Sequence, residues 1–468
     1  RSIWVTGVQT CALPICPDSL PRDGLARYAA IGRVQVLIAR GVLRDAGAWA
    51  RQARLSAHRA GDVLTEADAN VLLAYVLERT ISVEAAESLY IQSSEILPPT
   101  ADRQWARLHC ARLGPPQQPG ELEEREEALA GASRARRAGD VRTEAKCLIN
   151  NAQAWYGKRT DSTLAATDNA IALLDSLHDR TGLLAEAWYF RGTAQVGSRD
   201  YGGARQSLLN GLDAARESGY EVRTGGILLQ LASLSLRFRA LGEGRRFAAR
   251  AESVVVAQGN LRTRATLWSV QGDLARAGGD SAAARTAYRA ALEASAPFGG
   301  YGRVAPHRGL AALARDAGDW AAADAALAAA RASAGTQGLA GWARRLDYDA
   351  AVLALERGDP DGAERAFRRF IAGLAPEDRV TAFAARMRLA ELAARRGQAQ
   401  RGATEARAAM DDLDSWRATL DDADLRVRVF ELGELDLSPG LGLSFIVSAL
   451  AREGNYMEIG RASCRERV

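Results

Sequence analysis

The sequence is poor in the residues that most often carry chemistry. Lys146 and Lys158 are its only lysines among 61 basic residues, and it holds four histidines and five cysteines. No apolar run approaches the roughly 18 residues that a membrane span requires. No CxxC spacing occurs, so neither a zinc site nor a disulfide framework is expected. His58, His178 and His307 lack the i, i+4 partners of a metal site, and His109 and Cys110, adjacent on one helix, point about 100° apart and cannot act as base and nucleophile together. Gly157-Lys158 is followed by Arg159, which excludes a phosphate-cradling loop, and Gly300-Tyr-Gly302 imitates a dinucleotide fingerprint only outside the strand-to-helix setting that gives it meaning. No catalytic, cofactor-binding or metal-binding residue is therefore assigned, no cofactor is expected, and the chain is not expected to be an enzyme.

Charge excludes a further class. The formal balance is +4, small for 468 residues. Arginine alternates with Asp and Glu along most helical segments instead of collecting on one face, so no nucleic acid and no membrane is expected as a partner.

The two ends need separate treatment. Ala12 to Ile15 back-translate as GCT CTT CCG ATC, and Glu458 to Ala462 as GAG ATC GGA AGA GCN, which are reverse complements. Residues 1–15 and 458–468 accordingly read as translated sequencing adapters flanking a genomic insert. Cys11 and Cys464 fall in those ends and Cys16 at a junction, leaving Cys110 and Cys147. These two are expected as small packed hydrophobes, a usage that fits a reducing, cytoplasmic setting.

What the sequence has in abundance is a repeat. Gly242-Glu243, Gly279-Asp280, Gly318-Asp319, Gly358-Asp359 and Gly397-Gln398 recur at intervals of 37, 39, 40 and 39 residues. Five residues beyond the last four glycines stand Ala284, Ala323, Ala363 and Gly402, and twelve before those stand Gly272, Ala311, Ala351 and Ala390. Small side chains at both places let two helices of a hairpin approach closely. With Trp188, Gly192, Tyr201, Ala204 and Leu208 in one copy and Trp268, Gly272, Ala284, Tyr288 and Ala291 in another, the spacing resembles the tetratricopeptide pattern. Apolar residues recur at helical spacing, as in Leu267, Val270 and Leu274, and no strand alternation appears. The expected fold is all-α, a right-handed superhelical solenoid of about ten antiparallel helix hairpins over residues 16–420 with a period of about 39. Among the expected helix pairs are 66–79 with 82–97 and 378–396 with 398–420, and GPPQQPG (114–120) is expected as a loop. The recurring Trp188, Trp268, Trp320 and Trp342 are expected in the core.

In such solenoids the first helix of each hairpin lines the concave surface. Taking the small residue as the reference position places Tyr189, Thr193, Ser269, Asp273, Arg276, Arg308, Arg315, Tyr348, Met387, Glu391 and Arg395 along a protein-binding groove. No repeated Lys and Asn clamp for a terminal carboxylate is present among them.

Beyond the repeats, Asp412 to Tyr456 (DLDSWRATLDDADLRVRVFELGELDLSPGLGLSFIVSALAREGNY) resembles the segment joining the repeats to the peptidase domain in bacterial CHAT proteins, caspase-like proteins associated with tetratricopeptide repeats. That resemblance makes 421–457 a helical segment leading to a domain that this chain does not include, and it implies a regulatory or sensor arm that holds a protein, a peptide or another domain of its own chain. The family's catalytic His and Cys have no counterpart here. The alternative is the ligand-sensing repeat domain of a large transcription activator or of a repeat-bearing protein kinase.

Overall fold

The computed structural model describes residues 22–417 apart from 82, 112–120, 156–159, 178–181, 199, 259, 299–300, 336–339 and 375–378. The segments 1–15, 421–457 and 458–468 and the GPPQQPG stretch lie outside the described residues. Twenty α-helices form ten hairpins among the described residues: α1 (Arg22–Ala39) with α2 (Leu43–Arg59), α3 (Val63–Thr80) with α4 (Val83–Ile96), α5 (Asp102–Ala111) with α6 (Glu121–Arg137), α7 (Val141–Trp155) with α8 (Thr160–Ser176), and α9 (Leu183–Gly197) with α10 (Tyr201–Ser218). The second half continues with α11 (Glu221–Arg237) and α12 (Leu241–Gln258), α13 (Leu261–Ala277) and α14 (Ser281–Ser295), α15 (Tyr301–Asp316) and α16 (Trp320–Gly335), α17 (Ala340–Glu356) and α18 (Pro360–Ala372), and α19 (Arg379–Arg395) and α20 (Ala399–Arg417).

Each Gly-Asp pair makes a turn by two local devices. Gly279, Gly318, Gly358 and Gly397 take φ of 84°, 73°, 90° and 75°, the left-handed region that ends a helix without a Cβ clash. The next residue then caps the following helix: Asp280 accepts from Ala283 N at 2.9 Å, Asp319 from Ala322 N at 3.0 Å and Asp359 from Gly362 N at 2.9 Å. The Gly242 alignment needs correction. Gly242 lies inside α12, and the left-handed residue of that turn is Arg239, with φ 52°. Counting from Arg239 makes the small partners Gly244 and Ala232, and a Cβ on Gly244 would sit 3.3 Å from the Ala232 carbonyl. Helix α3 likewise starts three residues earlier than expected, because Asp62 caps it by accepting from Thr65 N at 3.1 Å.

Odd-numbered helices pack on the odd-numbered helices of the neighbouring hairpins, from α1 against α3 through to α15 against α17. Their even-numbered partners spread apart on the outside. The odd helices thus form the concave face. Apolar clusters fill each interface, with Phe367, Phe370 and Leu389 in one and Leu228, Ala251 and Leu267 in another. Trp188, Trp268, Trp320 and Trp342, expected in the core, are instead half-buried, and Trp188, Trp320 and Trp342 flank such clusters.

Tyr288 of α14 is held more tightly than any apolar contact requires. Its ring lies between two glycines: a Cβ on Gly272 of α13 would come 2.5 Å from Cε1, and one on Gly309 of α15 would meet Cε2 at 2.6 Å with Cζ and Cε1 closer still. Glycine at both places is what admits the ring between adjacent odd helices.

Cys110 and Cys147 are packed in the core with Ala132, as expected, but the expectation of no bond between them fails. Cys110 of α5 and Cys147 of α7 are disulfide-bonded, with Cα atoms 4.9 Å apart. They stand 37 residues apart, one repeat, and equal positions in successive repeats lie side by side on neighbouring odd helices. Among the described residues no helix is long and apolar enough to cross a membrane.

Candidate protein-binding groove

Long polar side chains on the concave face pair across successive odd helices at the repeat period. Arg107 of α5 donates to Asp68 of α3 at 2.8 Å. Lys146 of α7 donates to Glu186 of α9, and Arg223 of α11 reaches the same carboxylate at 3.1 Å. Farther along, Arg276 of α13 pairs with Asp316 at 3.3 Å, Arg308 of α15 binds Asp349 of α17 through two nitrogens, and Arg315 meets Glu356 at 3.4 Å. The spacing forces this arrangement: a helix neighbour is about 40 residues away in sequence, and only a flexible arm such as Arg or Lys bridges the interaxial gap of about 8–10 Å to a short acid. Each rung is half-exposed at least on one side, so its contribution to stability is modest, and its main effect is to hold the hairpins in register.

Glu186 is the exception, being fully buried. Burial alone would raise its carboxyl, but Lys146, Arg223 and the Tyr220 hydroxyl, which donates to it at 2.6 Å, hold it well below the ordinary carboxylate range. Asp273 behaves in the opposite way: burial pushes its carboxyl up, against the Tyr288 hydroxyl that donates to it at 2.6 Å and the nearby Arg308 and Arg276.

The residues expected in the groove divide into two groups. Arg276, Arg308 and Arg315 are rungs of the ladder. Asp273 receives Tyr288, Tyr189 has the Arg223 guanidinium 5.5 Å from its ring, and Tyr348 packs on Phe367 and Phe370 at 5.7 and 5.4 Å between centroids. Glu391 accepts from Arg388 at 3.3 Å and from Arg395, which is exposed. Thr193, Ser269 and Met387 are a correction, because they are buried at 3%, 7% and 7% exposure and offer almost no surface to a ligand. Thr193 and Ser269 spend their hydroxyls on carbonyls of their own helices, Phe190 O and Ala265 O, both at 2.9 Å. The reason is the close approach of successive odd helices, which covers a short side chain where Arg or Tyr at the equivalent position reaches out.

Sequence reasoning missed Lys146, Glu186, Tyr220 and Arg223. The available signal was that one of two lysines stands one repeat before an acid on the next odd helix. Among the described residues no group of His, Cys, Asp and Glu could hold a metal ion.

No protein-family profile matches the chain, and no curated protein matches it by sequence. Solved structures do resemble it. The crystal structure of a Rap protein complexed with Competence and Sporulation Factor aligns with a TM-score of 0.57 at 12% identity, over 74% of this chain and 97% of that one. The human IFIT1 dimer with m7Gppp-AAAA aligns at 0.46 and 12% identity, over 85% of this chain and 89% of that one. At 12% identity the likeness to the Rap protein is one of fold alone, that of a tetratricopeptide-like helical solenoid.

Proposed function

We propose that the chain is a protein-interaction scaffold whose concave face holds a peptide or protein segment, and that it serves as the regulatory arm of a CHAT-type caspase-like protein. The observation that carries the scaffold reading is the ladder itself. A row of preorganised basic and carboxylate pairs, most of them partly exposed and set at the repeat period, offers an extended segment donors and acceptors that it can share or exchange without reorganising the hairpins. The regulatory-arm reading is supported by the resemblance of Asp412 to Tyr456 to the segment that leads into a CHAT peptidase domain.

The test is to recover the gene by reading outward from Met457 and to assay the adjoining domain with and without residues 16–457. A peptidase whose rate changes on removal of the arm supports the proposal. An adjoining helix-turn-helix or kinase module, or a peptidase indifferent to the arm, overturns its regulatory part.

A further inference from the structure

Cys110 and Cys147 are bonded, yet the atoms around them also provide for the unbonded state. Cys110 Sγ lies 4.0 Å from the Thr143 carbonyl of α7, and Cys147 Sγ lies 3.8 Å from the Ala106 carbonyl of α5. Each sulfur thus stands within reach of a carbonyl on the opposite helix, and that carbonyl belongs to the residue four before the partner cysteine. A disulfide sulfur carries no proton and has no use for such an acceptor. A thiol does, because S–H is a weak donor and a helix carbonyl keeps a second lone pair after accepting its own amide. Reduction creates two S–H groups, and two acceptors stand ready for them.

Packing settles where the sulfurs go. Once unbonded, they need the ordinary separation of non-bonded heavy atoms, about 3.5–4 Å. Gly131 of α6 bars one side: a Cβ there would come 3.1 Å from Cys147 Sγ and 3.2 Å from Cys110 Sγ, so the sulfurs already rest on its backbone. Parting is therefore directed away from α6, toward the two carbonyls. It loosens the close approach of α5 and α7 that is marked by the 4.9 Å between the two Cα atoms.

The hairpins stay joined when the bond opens. Asn150 of α7 donates to the Cys110 carbonyl, and Arg107 of α5 pairs at 3.7 Å with Asp140, the residue before α7. Neither tie involves sulfur. Helix α5 is also the shortest α-helix among the described residues, with ten residues and with Cys110 in its last turn. The end of so short a helix opens locally at low cost, which gives a reductant access to a pair that is buried at 3% and 0% exposure.

We infer that Cys110 and Cys147 form a reversible dithiol–disulfide centre, folded in both states, whose redox state sets how firmly α5 is held on α7. The reaction partner is a dithiol. Its thiolate attacks Cys110 Sγ, the S–S bond breaks, and Cys147 leaves as a thiolate that takes up a proton. The reductant's second thiolate then displaces Cys110, which is protonated in turn, and the reductant departs as its own disulfide. Two electrons and two protons reach the protein, and a disulfide oxidant reverses the sequence. Position gives the centre a lever on the concave face: Arg107, three residues before Cys110, holds Asp68, and Lys146, next to Cys147, holds Glu186. The centre itself does not depend on what that face binds.

The full chain carrying Cys11→Ser, Cys16→Ser and Cys464→Ser, so that only the pair titrates, tests it. The protein is equilibrated with mixtures of reduced and oxidised dithiothreitol well below its unfolding temperature. Thiols are trapped by alkylation in denaturant and located by mass spectrometry, and amide exchange is read helix by helix. Cys110 and Cys147 should become alkylated together as a two-electron couple, with helical circular dichroism unchanged, and oxidised dithiothreitol should restore the bond. Amide exchange in α5 and α7 should rise by about tenfold on reduction, while α13 to α20 keep their rates. With Cys147→Ala added, those rates should ignore the redox buffer. The inference is overturned if the pair resists reduction until the chain unfolds, if helicity is lost with the bond, or if exchange in α5 and α7 does not change. A response that survives Cys147→Ala overturns it equally.

Discussion

Substitution of Gly309 by alanine isolates the packing of Tyr288 between α13 and α15. Alanine in a helix interior is favoured over glycine by about 1 kcal/mol, so propensity alone would make the change stabilising. Sterically the new methyl would enter the Tyr288 ring, which cannot retreat because Gly272 bounds its other side. Overpacking of this kind costs about 1–3 kcal/mol, leaving a net loss of up to about 2 kcal/mol. A single variant would not separate the two terms, but a cycle with Tyr288→Ala does. Tyr288→Ala by itself costs about 3–5 kcal/mol from the cavity it leaves. In that background the methyl on Gly309 meets no ring, and the same substitution should stabilise by about 1 kcal/mol. The sign of one mutation thus reverses with the identity of residue 288. Urea unfolding followed by circular dichroism at a helical band gives the four midpoints, compared at a common slope. Additivity of the two changes within about 0.5 kcal/mol would refute the wedge between the two glycines.

Four further outcomes are expected. Glu186→Gln should cost about 3–5 kcal/mol, because it leaves Lys146 and Arg223 against a neutral group in a buried place; since the folded carboxyl is depressed, its contribution is present above the ordinary 4.5 and is lost as pH falls toward the folded value, so the variant should flatten the acid limb of a stability profile, and an unchanged limb would contradict the assignment. Asp273 has the opposite sign: its carboxyl is raised, so its ionisation weakens the fold as pH rises from 3.8 through the folded value, and Asp273→Asn should raise the thermal midpoint more at pH 8 than at pH 4. Joining Cys110 to Cys147 closes a 37-residue separation, worth about 4 kcal/mol by chain entropy, so dithiothreitol should lower the unfolding midpoint and Cys147→Ala should abolish that sensitivity; alkylation of both thiols in the native, unreduced protein would refute the bond. Arg239→Gly should stabilise by about 1 kcal/mol, since it removes a side chain from the left-handed region, and Arg239→Val should destabilise; equal midpoints for the two would show that the turn does not hold that conformation.

The hairpins were legible because their signals are local. An αL glycine followed by a capping aspartate specifies the end of one helix and the start of the next within two residues, and the small pair twelve apart states that the two helices touch. Where arginine stands in the glycine place, at Arg239, the Gly-acid pattern falls instead on Gly242, three residues out of register. The disulfide and the Lys146–Glu186–Arg223 node were hidden for a different reason: their members are 37 to 40 residues apart, and nothing near either member marks the pairing. All eleven residues expected along the concave side lie on odd helices, and Arg276, Arg308 and Arg315 among them are rungs of the ladder. Burial at Thr193, Ser269 and Met387 was not legible, because it depends on how closely the next odd helix approaches.

From residue order alone came the all-α class, the ten hairpins, their period and the face that lines the concave side, because each depends on contacts within one repeat. Only the tertiary structure decided that the solenoid meets itself after five hairpins, that Tyr288 needs two glycines from different hairpins, and that Lys146 and Arg223 share the buried Glu186. Those depend on small rotations between hairpins that accumulate along the array, and an accumulated angle is a property of every interface together, written in no single repeat.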